Sequence, residues 1–169
     1  MFIRGADINI ANVLGQTPLL GAALNGSETV VDLLIHHHAV KPNHQTLEVG
    51  LTPLLAASQA GFENIVRILL SNDDTNINLA KSSNGDTPLH VAAYFGYEQV
   101  VKELLNRPDI KINAKNHKNL TPEIYAAMRG HLNIAKILME KQGQEADIAI
   151  LNNIVKQRYV FLSIDVLKE

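Results

Sequence analysis

The tetrapeptide TPLL begins at Thr17 and returns at Thr52, TPLH begins at Thr87 and TPEI at Thr121, in steps of 35, 35 and 34 residues. A glycine follows each at the same offset, at Gly26, Gly61, Gly96 and Gly130. Beyond each glycine comes a further apolar pattern: ETVVDLLI, ENIVRILL, EQVVKELL and LNIAKILM. Threonine, proline, glycine and paired apolar residues recurring in phase four times define a repeat. A unit this short cannot bury its own apolar faces, so successive copies must stack into a solenoid.

Each element of the unit has a local physical reading. Thr17, Thr52, Thr87 and Thr121 suit a helix N-cap, and the proline after each suits the first helical position. Small residues follow at the centre of that helix, Ala22-Ala23, Ala56-Ala57, Ala92-Ala93 and Ala126-Ala127, and let neighbouring helices approach closely. The glycine ends the helix with a left-handed turn. In the second helix Val100, Val101, Leu104 and Leu105 form one apolar stripe at helical spacing, and the other copies repeat it.

Composition narrows the function classes. The 169 residues carry a formal net charge of −2, so no overall field favours nucleic acid or an acidic membrane surface. With no cysteine the chain has no disulfide, thiolate metal site or cysteine nucleophile, which suits a reducing, cytoplasmic setting. The opening MFIRGADINI lacks a signal-peptide apolar run, and no segment approaches the roughly 18 apolar residues of a membrane span.

Charge is distributed unevenly. Residues 1–101 hold four Lys/Arg against nine Asp/Glu, whereas residues 102–141 hold eight against four. A few lysines without stacking aromatics are poor evidence for nucleic-acid binding.

GDTPLHVAAYFGYEQVVKELL (85–105) resembles a nearly complete consensus unit of the ankyrin repeat family. GADINIAN (5–12) and DIKINAKN (109–116) resemble its hairpin segment, and the resemblance covers about residues 3 to 141. It implies an all-α solenoid of four helix-turn-helix units with projecting β-hairpin fingers. A half-repeat (1–16) would precede repeats starting near 16, 51, 86 and 120, and a degenerate C-terminal cap or the start of a further segment would occupy 142–169. Only the third unit keeps the motif histidine, as His90, where the others have Leu20, Leu55 and Ile124. The fourth has Glu123 at the motif leucine and Asn119 at the hairpin glycine, so repeat four is expected to be looser.

The resemblance also implies the function: binding another protein through the hairpin tips and the concave side of the first helices, with no cofactor and no catalysis of its own. Carried over residue by residue, the partner-binding positions are Val13, Leu14 and Leu24 in repeat one, and Val49, Leu51 and Gln59 in repeat two. Repeat three contributes Asn84, Asp86, Tyr94 and Phe95, and repeat four Lys118, Leu120, Met128 and Arg129. Many are large and apolar although packing within the repeat leaves them free, and Tyr94 and Phe95 are the expected anchors. Adaptor, inhibitor and targeting roles all fit. A place within a larger enzyme, or within an effector secreted by an intracellular bacterium into host cytosol, is the alternative.

IHHHAVKPNH (35–44) holds four of the seven histidines. Successive helical residues point about 100° apart, so His36, His37 and His38 cannot converge on one ion, and a solvated helix end is expected rather than a metal site. Sixteen residues separate Ile35 from Thr52 where the family has fourteen, and His38 stands in place of a glycine, which predicts a distorted finger. His90 reads as a structural hydrogen-bonding residue rather than a general base, and Asp73-Asp74 as solvated carboxylates. Asn78 and Asn113 follow Leu70 and Leu105 by eight residues, a spacing that resembles hydroxylated ankyrin asparagines, but without the usual acidic residue two positions earlier.

The two ends depart from the repeat. The opening residues read as the end of a second helix, which would leave the inner face of repeat one exposed unless more chain or another element covers it. Near the other end, EADIAILNNIVKQ has apolar residues at Ile148, Leu151, Ile154 and Val155, the pattern of an amphipathic helix.

Overall fold

The computed structural model describes residues 7–143 together with Asn153 and Lys156, both exposed helical positions. The reading of 142–169 as a cap therefore lies almost wholly outside the described residues, as does that of the opening MFIRG. Within residues 7–143 eight helices follow in pairs: α1 (Pro18–Leu24) with α2 (Glu28–Ile35), α3 (Pro53–Ala60) with α4 (Glu63–Leu70), α5 (Pro88–Phe95) with α6 (Glu98–Leu105), and α7 (Pro122–Met128) with α8 (Leu132–Lys141). The first helices stack α1 on α3 on α5 on α7, and the second helices stack in parallel order as another layer.

Each first helix starts at the predicted residue. The hydroxyls of Thr17 and Thr52 accept from the backbone N–H of Leu20 and Leu55 at 3.3 and 3.1 Å, and proline occupies the first turn. The central alanines are buried throughout, so first helices meet backbone to backbone. The stripe Val100, Val101, Leu104 and Leu105 is buried between layers, each such side chain contributing about 1.5–3 kcal/mol by leaving water. Repeat one departs from this: Val30 and Leu33 of α2 remain exposed, and among the described residues no helix packs on that side.

Neighbouring repeats are tied by two devices that the sequence reading missed. In repeats two to four the ring-bearing residue after the glycine roofs the glycine of the preceding repeat, with Phe62 over Gly26, Tyr97 over Gly61 and His131 over Gly96. At Gly96 (φ 82°) a Cβ would sit 2.5 Å from the His131 ring, so only glycine fits both the turn and the contact. The second device is an asparagine ladder. Asn9, Asn43 and Asn78 each span to the next loop, donating to the carbonyls of Ala39, Asp74 and Asp109 and accepting from the N–H of Lys41, Asn76 and Lys111 at 2.6–2.8 Å.

Two expectations are corrected. No strand is assigned among the described residues: the fingers 12–16, 46–51, 81–86 and 116–120 are tight turns, each closed by two backbone bonds, such as Lys81 N–H to Asp86 C=O and Gly85 N–H to Lys81 C=O, both at 2.9 Å. A loop of five or six residues is too short for a ladder, and adjacent fingers share single bonds such as His117 N–H to Asn84 C=O. The histidine finger is not distorted either. Residues 36–52 repeat the turn pattern of 71–87 position for position, and the one non-glycine residue with positive φ among those described is Asn119 (φ 55°), not His38. Asparagine tolerates that conformation better than other side chains, which is how repeat four does without its hairpin glycine.

Candidate functional site: the finger and first-helix face

The third finger and the helices α5 and α7 enclose a cleft of about 270 Å³, lined by Lys81, Asn84, Asp86, Val91, Tyr94, Phe95 and Tyr125. Its floor is a buried polar network that joins repeats three and four. Asp86 is only 7% exposed and accepts from Asn84 Nδ2 and Asn116 Nδ2, both at 2.7 Å. Tyr125 receives a further bond from Asn116 at 3.0 Å and directs its hydroxyl at Asp86. Burial, together with the nearby Asp86 charge, pushes the Tyr125 phenol up to about 12.

Beside this network His90 is fully buried. Its Nε2 lies 3.0 Å from the Leu120 carbonyl, which can only accept, so Nε2 carries the proton. Nδ1 then accepts from the Thr87 N–H and hydroxyl, completing a reciprocal cap of α5. Burial depresses the imidazole pKa, with the bond to Leu120 opposing. A neutral ring with both nitrogens engaged has no site left for a substrate proton.

An aromatic group stands above the floor. Tyr94 meets Phe95 and Tyr125 edge to face at 5.1 and 5.3 Å between centroids, and the Arg129 guanidinium lies 4.6 Å from the Tyr94 centroid. Phe95 is 45% exposed. Lys81 reaches across to α3, donating to Gln59 Oε1 at 2.6 Å, and partial burial lowers its ammonium pKa, with Asp86 opposing.

The carried-over positions separate into three groups. Val13, Leu14, Leu24, Val49, Gln59, Phe95, Lys118 and Arg129 are exposed, Val13 at 90%. Leu51, Asn84, Tyr94 and Met128 are half-buried on the same side. Asp86 and Leu120 are buried, Leu120 at 3%, and Asp86 reaches the surface only as part of the cleft lining. Both end a finger, where the chain turns inward to start a first helix; Asp86 is held by Asn116, and the Leu120 carbonyl is claimed by His90.

Sequence reasoning passed over Lys81, Tyr125 and Leu47. Leu47, 75% exposed, joins Val13, Leu14 and Val49 on the first two fingertips. Tyr125 stands in the column that holds Gly21, Ala56 and Val91 in earlier repeats, so a column-by-column comparison would have flagged it. The histidine segment lies elsewhere: His36 Nδ1 is 2.8 Å from the Asp32 carbonyl, and His37 and His38 stack at 4.5 Å. Among the described residues no group of three or more histidine or acidic side chains is placed to hold a metal ion, and no helix is long and apolar enough to cross a membrane.

A family model for ankyrin repeats in three copies matches residues 1–81, 36–116 and 74–152. No curated protein matches the chain.

Proposed function

The chain belongs to the ankyrin repeat family, whose members are generally protein–protein interaction modules, and we propose that it binds another protein across the fingertips and the exposed side of the first helices, as an adaptor, targeting or inhibitory module without chemistry of its own. One observation carries this reading. Exposed apolar side chains crown the first two fingertips, Val13, Leu14, Leu47 and Val49, and the first-helix face of repeat three carries the exposed Phe95 beside the half-buried Tyr94. An apolar patch rimmed by polar groups is a surface that gains by being covered, and its aromatic members are the best anchors. Saturation of the polar groups that superficially resemble catalytic ones, His90 and Asp86, supports the non-catalytic part.

Affinity capture from cell lysate, comparing wild type with Tyr94→Ala/Phe95→Ala of verified fold, tests the reading. A specific partner lost with the double variant is the expected result. Partners retained unchanged would move function off this face.

A further inference from the structure

Charges on the two sides of the solenoid are treated differently. On the second helices and the loops after them, several cations sit in ion pairs: Arg67 with Glu63 and Glu103 at 2.6 and 2.8 Å, Lys102 with Glu98 at 2.7 Å, Arg107 with Asp109 at 3.1 Å. At the cleft between the third finger and α5 and α7 the pattern is reversed. Lys81 is half-buried and donates to a neutral amide, Gln59, and no ion pair to Lys81 or Arg129 occurs among the described residues. Arg129 spends its π-face on Tyr94. That stacking leaves the in-plane N–H fork of a guanidinium as the edge suited to a carboxylate.

The carboxylate already lining the cleft acts on Lys81 through its charge but forms no ion pair with either cation. Asp86 is buried, and both its oxygens accept bonds from asparagines. Tyr94, Phe95 and Tyr125 line the cleft beside Lys81, and the exposed Arg129 stacks on Tyr94; beside such low-dielectric walls an incoming opposite charge is worth more than in open water. The volume of about 270 Å³ falls at or below the lower end of small-molecule sites and has room for side chains rather than a free metabolite.

We propose that this cleft receives an aspartate or glutamate side chain from a bound protein segment, whose apolar residues lie on the first two fingertips. The inference rests on the protein-binding reading above and specifies its chemistry. Stacked helices lie about 8–10 Å apart, so the fingertip pair 13–14 and 47–49 is about 20 Å, two repeats, from the cleft between repeats three and four. An extended segment covers that distance in about six residues at roughly 3.3 Å each. The segment is therefore bipartite, with a Leu, Ile, Val or Phe cluster and an acidic residue about six positions away.

Random peptides displayed on phage and selected on the immobilised full chain test this. The expected winners carry both parts at that spacing, and replacing the acidic residue of a winner by its amide weakens binding about tenfold, the loss of one charge-assisted contact. Selection is repeated on Lys81→Glu/Arg129→Glu and on Lys81→Met/Arg129→Met, each checked for native helicity and melting. Charge reversal is expected to replace the acidic preference by a basic one, and the neutral pair to abolish it. Winners without acidic bias on wild type, or an acidic bias that survives both variants, overturn the carboxylate assignment while leaving peptide binding intact. No enrichment of any peptide on wild type overturns the underlying reading as well.

Discussion

Repeats three and four share a backbone, yet they satisfy it by different means. In repeat three the α5 cap is closed on both sides, because Thr87 and His90 bond reciprocally and His90 reaches on to the base of the next finger. In repeat four the equivalent Thr121 hydroxyl is buried without a partner, as is Oε2 of Glu123, which occupies the column of Leu54 and Leu89. The outer-layer contact between α6 and α8 is also the thinnest in the stack. Repeat four is thus tied to repeat three through Asp86, His90 and Gly96, and of these Asp86 also lines the candidate binding cleft. The ties and the site share one junction.

The largest test of this comparison is His90→Leu, which gives repeat three the residue that repeats one and two carry. It strands the Leu120 carbonyl and should cost about 2–3 kcal/mol in chemical denaturation, with α7 and α8 losing hydrogen-exchange protection before α1 to α4. The same variant has a pH signature. His90 has a folded pKa below the ordinary imidazole value near 6.5, so its contribution is complete above that value. It is lost as pH falls through 6.5 towards the folded pKa, because the unfolded chain takes up the proton first. Leucine should make the stability profile flatter there, and an unchanged profile would contradict a buried neutral ring.

Gly96→Ala should cost about 2 kcal/mol and Gly130→Ala about 1 kcal/mol, as measured by urea unfolding. Both have positive φ, but only at Gly96 does a Cβ meet the next repeat, through His131; at Gly130 nothing lies within 4 Å. Equal costs would mean that the His131 roof yields freely. The smallest effect expected is a gain: Glu123→Leu restores the motif residue and should stabilise by about 1 kcal/mol, raising the melting temperature by a few degrees.

The helices were legible because their signals are local. A threonine followed by proline fixes the first turn, a glycine fixes the last, and the paired alanines between them can only be a close helix contact. The period itself carried the stacking. Three features were not legible, because they depend on contacts between repeats. The inward turn that buries Asp86 and Leu120 lies at a finger base, which in sequence looks like its tip. The asparagine ladder is evident only when Asn9, Asn43 and Asn78 are seen beside the loops they bind. Regularity of the histidine finger followed from its matching the next finger in length, 36–52 against 71–87, which mattered more than the lost glycine. Lys81 was passed over because a lone lysine at a finger base carries no local signal; its partners come from α3 and from the finger itself.

The central claim is that the fingers and first helices, not the second helices, meet a partner. Site-specific photocrosslinking tests it most directly, with benzoylphenylalanine placed at Phe95 on the first-helix face and, separately, at Asn64 on α4. The account predicts discrete crosslinked proteins from position 95 and none from position 64. Crosslinks from position 64 alone would contradict it and place the interaction on the opposite face.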